Sequence, residues 1–65
     1  MVTVVNETTG ERHEFRSLNT VMQLLNKLGL KATEVLVIRE RELLTVDRNI
    51  GHQGLIRIRH VVSRG

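Results

Sequence analysis

Apolar residues change their spacing several times along this chain, and each change predicts an element. Val2-Thr3-Val4-Val5 is β-branched throughout and predicts a strand. Glu7-Thr8-Thr9-Gly10 is a polar turn with a glycine free to take positive φ, and Arg12-His13-Glu14-Phe15 predicts the returning strand of a hairpin. The period then switches. Val21, Leu24, Leu25 and Leu28 stand at i, i+3, i+4 and i+7, the spacing that lines one face of an α-helix. Thr20 is placed to cap its start with Gln23 three residues on, and Gly29 stands where a left-handed residue ends a helix. Burying those four side chains contributes roughly 6–12 kcal/mol before conformational entropy is subtracted, so the helix must pack on the sheet.

Beyond the helix, Glu34 to Arg39 predicts a third strand and Glu42-Leu43-Leu44-Thr45 a short fourth one. The turn between them, near Glu40-Arg41, has no glycine to define its type. Residues 46–54, with Gly51 and Gly54, read as the longest irregular connection, and Leu55 to Val62 as the last and longest strand. Along that strand Ile56, Ile58, His60 and Val62 point one way, toward the helix. Leu55, Arg57, Arg59 and Val61 point the other way, onto an open face available to a partner. The expected organisation is one domain over residues 1–62 and a flexible tail, Ser63-Arg64-Gly65, over 63–65.

Composition narrows the classes. A chain of 65 residues has room for one compact core. With no Cys, neither a disulfide framework nor a Cys-based zinc site supplements that core. His13, His52 and His60 show no metal-ligand spacing, so no metal is expected. No Ser/His/Asp arrangement, glycine-rich phosphate loop or convergent carboxylate pair points to an enzyme. No apolar run approaches the ~20 residues that span a bilayer, and the first residues lack a basic, then apolar, leader. A cytoplasmic protein without membrane contact is the expectation. Charge is uneven: residues 1–47 carry six Lys/Arg against seven Asp/Glu, whereas 48–65 carry four Arg and no acid. That asymmetry favours an acidic protein surface, a phosphate-bearing ligand or nucleic acid near the C-terminal end. With one Phe and no Tyr or Trp, the chain lacks the stacking platform of most single-strand and RNA binders.

The element order is the plan of a β-grasp domain. It is α+β, a ββαββ framework with a short strand between its last two members. Its mixed sheet packs on one helix, and its final strand is expected beside the first, in parallel, at the middle of the sheet. Three segments then resemble the ubiquitin-like sulfur carriers of the ThiS/MoaD group, including the archaeal small modifier proteins. Thr20-Val21-Met22-Gln23-Leu24-Leu25-Asn26-Lys27-Leu28-Gly29-Leu30 is similar to the family's "TVxxLLxxLGL" helix, Glu34 to Arg39 to its "ETVLVxR" strand, and His60-Val61-Val62-Ser63-Arg64-Gly65 to its "RVVSGG" tail. Asp47-Arg48-Asn49-Ile50 also resembles the "DYNI" of ubiquitin.

The resemblance implies a mechanism. The carboxylate of Gly65 is adenylated by a ubiquitin-activating-type enzyme that uses ATP. It is then converted to a thiocarboxylate that gives sulfur to a biosynthetic enzyme, or captured by a target-protein lysine as an isopeptide. The carrier binds no cofactor and catalyses nothing. Glycine suits a segment that threads an enzyme channel, since no Cβ keeps the backbone from the wall. Arg64 departs from the family's terminal Gly-Gly, which leaves three readings: a tolerated variant tail, a chain missing a final glycine, or a member that has lost conjugation. Two rival functions remain, a small basic nucleic-acid-binding module and a β-grasp docking domain that is never conjugated.

Overall fold

The structure is a computed structural model that describes residues 1–61. Strand β1 (Val2–Asn6) turns at Gly10, φ 81°, into β2 (Arg12–Phe15). A short β3 (Leu18–Thr20) runs directly into helix α1 (Val21–Leu28). Then come β4 (Val35–Arg39), β5 (Glu42–Leu43), β6 (Asn49–Gly51) and β7 (Gly54–His60). Five of the strands form a mixed sheet in the order β2-β1-β7-β4-β5, and β3 pairs with β6 in a separate two-stranded ribbon. β7 lies parallel to β1 on one side and antiparallel to β4 on the other, which puts the last strand at the centre, as expected from the plan that the element order matches.

The alternation along each central strand decides what the helix covers. Val2 and Val4 of β1 and Ile56 and Ile58 of β7 are fully buried, with Val35 and Val37 of β4 beside them, and α1 sets Val21, Leu24 and Leu25 against this layer. Each such side chain contributes about 1.5–3 kcal/mol when removed from water, so these rows are the main source of stability. Leu18, Leu44 and Ile50 close the edges of the core, and Phe15, Leu28 and Leu30 pack against it half-buried.

Helix α1 is bounded as its sequence predicts. Gln23 N–H donates to Thr20 Oγ1 at 3.3 Å, satisfying one of the first-turn donors. The Gln23 side chain completes the cap one residue further back than a capping box requires, accepting from Asn19 N–H at 2.7 Å. At the other end Gly29 is left-handed (φ 70°), with Gly29 N–H donating to the Asn26 carbonyl and Leu30 N–H to the Leu25 carbonyl, the paired bonds of a Schellman motif. Two further N-terminal donors find carbonyls in the loop after β5. Val21 N–H donates to Arg48 O and Met22 N–H to Val46 O.

Three expectations change. Residues 46–54 are not irregular throughout, because Asn49–Gly51 pairs with Leu18–Thr20, matching Leu18 with Gly51 and Thr20 with Asn49. The fourth strand ends at Leu43 rather than Thr45: Leu44 N–H still donates to Val37 O, but the chain then turns its Leu44 side chain into the core. The glycine-free turn is solved by Glu40, which takes φ 58° so that Arg39 and Glu42 pair across a two-residue loop.

Candidate functional site

β7 carries the predicted face. Ile56 and Ile58 point to the helix, while Leu55, half exposed, Arg57 and Arg59 point to the side of the sheet that no helix covers; Val61, just past the strand, is also exposed. Strand register supplies the neighbours. Ile38 stands beside Arg57 and Leu36 beside Arg59 on β4, and Leu43 of β5 stands beside Ile38. Leu36, Leu43, Leu55 and Val61 are all exposed. Leu36 and Leu43 were not among the residues expected here, although the inward alternation of Val35 and Val37 already turns Leu36 outward.

The basic residues are less free than their sequence suggests. Arg59 Nη2 lies 3.2 Å from Glu7 Oε1, and Arg57 Nη1 lies 3.5 Å from Glu7 Oε2, so one carboxylate bridges both guanidinium groups. Arg57 also donates through Nη2 to the Glu40 carbonyl at 2.9 Å. The cause is the parallel pairing: Asn6 stands opposite Ile58, and Glu7 N–H donates to Ile58 O, which carries the next side chain onto Arg59. The polar turn residue Glu7 is therefore part of the site. The face has one net positive charge from this trio instead of two.

The far end of β7 is tethered on both flanks. Val61 N–H donates to Glu34 O at 2.9 Å, and His60 N–H donates to Thr8 Oγ1 at 3.0 Å. Asn6 is buried and accepts the Thr8 and Thr9 N–H groups at its Oδ1, so its Nδ2 is the donor toward His60 Nε2, 3.0 Å away. With Nδ2 donating, His60 Nε2 is the acceptor of this bond. Beside it is a cavity of about 270 Å³ lined by Glu11, His13, Lys27 and His60 among others. Among the described residues no group of three or more His, Cys, Asp or Glu stands together as metal ligands. Val62 and the expected tail, Ser63, Arg64 and Gly65, lie outside the described residues.

The stretch Asp47 to Ile50 has a structural role. Arg48 O receives the first N–H of α1, and Ile50 is buried in the core. Asp47, fully exposed, has its carboxyl held below the usual range by the Thr45 hydroxyl, then by its own backbone N–H and by Arg48.

Fold and face together define a class: a small α+β domain with a central, parallel last strand and a mixed apolar and basic surface on the uncovered side of its sheet. No family model matches the chain, and no curated protein matches it. Among the described residues no helix is long and apolar enough to cross a membrane.

Proposed function

We propose that this chain is a β-grasp carrier of the ubiquitin-like kind, acting in the cytoplasm by presenting the carboxyl group of Gly65 to a separate activating enzyme. The observation that carries the reading is the position of β7, parallel to β1 and bonded to β4, in the middle of the sheet. A segment leaving a central strand is anchored from both sides up to Val61, so an enzyme can pull on the terminal residues while the body stays rigid. The uncovered face lies beside that exit and offers Leu36 and Val61 next to Arg59, with Leu55 further along β7 beyond Arg57, so apolar contact area is interleaved with basic side chains as a docking surface requires.

In this reading a Gly65 carboxylate oxygen attacks the α-phosphorus of ATP in the partner's site and pyrophosphate leaves. The acyl adenylate then releases AMP on attack by a sulfide-equivalent nucleophile, giving a thiocarboxylate, or on transfer to a lysine amine, giving an isopeptide. The carrier supplies the carboxyl group and the docking face; every catalytic group belongs to the partner. Intact-mass spectrometry after incubation with ATP, a cognate activating enzyme and a sulfur source tests this. The expected result is an oxygen-to-sulfur mass increase located at Gly65. An unmodified terminus under conditions where a related carrier reacts refutes it.

The second reading, docking without conjugation, is favoured by the same exposed leucines together with Arg64. Removal of Gly65 separates the two, since docking survives the truncation and carrier activity does not. Nucleic-acid binding has less support than composition gave it, because Glu7 neutralises half of the basic pair on β7. Affinity for nucleic acid that falls steeply with salt would restore that option.

A further inference from the structure

The sheet has two edges, and they differ. β5 is two residues long and offers little to pair with, whereas β2 presents four residues, Arg12-His13-Glu14-Phe15. Pairing with β1 settles which of its backbone groups are free. Asn6 N–H donates to Glu11 O, so Asn6 and Glu11 form a hydrogen-bonded pair, and in an antiparallel ladder such pairs recur every second residue. Val4 with His13 and Val2 with Phe15 are then the bonded pairs, and the N–H and C=O groups of Arg12 and Glu14 point away from the sheet. Glu7, the residue that follows β1, fits this phase, since its N–H donates to Ile58 O of β7 and not to β2. Arg12 and Glu14 are exposed, share the uncovered face, and among the described residues enter no ion pair.

We infer that β2 is a homodimer edge, pairing antiparallel with β2 of a second copy about a two-fold axis at His13. In that register Arg12 of each copy faces Glu14 of the other. These are the two residues whose backbone groups point outward, so each Arg12–Glu14 match makes a pair of main-chain hydrogen bonds and a cross-strand ion pair. The contact is self-complementary, as a two-fold interface must be. Charge also selects the register. A slip of two residues one way sets Arg12 against Arg12, and a slip the other way sets Glu14 against Glu14; a slip of one residue turns each side chain onto the wrong face. His13 meets its own copy at the axis on the helix-covered side, with Glu11 Oε2 3.4 Å from its Nε2 within each copy. The product is one continuous sheet with its β7 faces free, so the dimer is independent of the carrier reading.

Sedimentation velocity over a wide concentration range reads the equilibrium directly, and charge reversal identifies the edge. The wild-type chain is expected to pass from monomer to dimer as concentration rises. Arg12→Glu alone and Glu14→Arg alone each set like charges opposite one another and are expected to weaken the dimer at least tenfold. An equimolar mixture of those two variants is expected to form a heterodimer, because the reversed position 12 then faces the reversed position 14. The double variant Arg12→Glu/Glu14→Arg is expected to dimerise as the wild type does. Recovery on mixing also shows that each single variant is folded. A wild-type chain that stays monomeric at millimolar concentration, a dimer that survives both single reversals, or a mixture that fails to associate overturns the proposal.

Discussion

Glu7 is the carboxylate that bridges Arg57 and Arg59, and Glu7→Gln removes its charge while keeping its shape. Two unit charges at about 4 Å are worth roughly 1 kcal/mol in a water-like dielectric. The side chains here are 30% exposed for Glu7, 36% for Arg57 and 57% for Arg59, so solvent screens both contacts. Exposed ion pairs measured by mutation give about 0.2–1 kcal/mol each. The two contacts share one carboxylate, and the guanidinium groups are left facing each other when it is gone. A combined loss of about 0.5–1 kcal/mol follows, which for a domain of this size lowers Tm by about 2–8 °C. Thermal melts of wild type, Glu7→Gln, Arg59→Ala and the double variant give the coupling energy directly. The same set in about 1 M salt, where the Debye length is near 3 Å, should show most of that coupling gone. A loss above about 2 kcal/mol, one indifferent to salt, or zero coupling between Glu7 and Arg59 would refute the shared-carboxylate account.

Two further expectations rest on local geometry. Glu40 holds φ 58° in the β4–β5 turn, so Glu40→Gly should raise the urea midpoint by an amount equivalent to about 0.5 kcal/mol, and Glu40→Val should lower it by about 1 kcal/mol or more; the reverse order would mean that the turn is not as described. Thr45→Val removes the main cause of the lowered Asp47 pKa, so an NMR titration should show Asp47 taking up its proton at higher pH than in the wild type. The sign comes from the depressed pKa: any stability from this hydrogen bond is present at neutral pH and lost as pH falls through the lowered range. An Asp47 midpoint unchanged by Thr45→Val would remove Thr45 as its cause.

Helix α1 was legible because every local signal agreed: the apolar spacing, Thr20 at the start and Gly29 at the end. The inward row of β7 was legible for the same reason, since strict alternation leaves a single assignment of faces. The β3–β6 ribbon was not. Each partner is three residues long with one buried apolar side chain, Leu18 or Ile50, and the pairing joins segments some thirty residues apart, beyond the reach of any local pattern. Glu7 was missed on similar grounds. Its neighbours in sequence describe a turn, and its partners Arg57 and Arg59 arrive only when β7 is laid beside β1. The shape of the Glu40 turn was closed to sequence reading because a glutamate in a left-handed conformation is imposed by the strands it joins.

Because β7 is the inner neighbour of β1, β1 receives its second partner only after every other strand of the sheet has been made. Until Gly54 to His60 have been synthesised, the nascent hairpin has one flank unpaired and Val2 and Val4 open to water. Acquisition of structure during translation is therefore expected to be all-or-none and late, with emergence of β7 from the exit tunnel as its trigger. Translation stalled anywhere before Gly54 yields a chain fit for chaperones and proteases, not a shorter working domain.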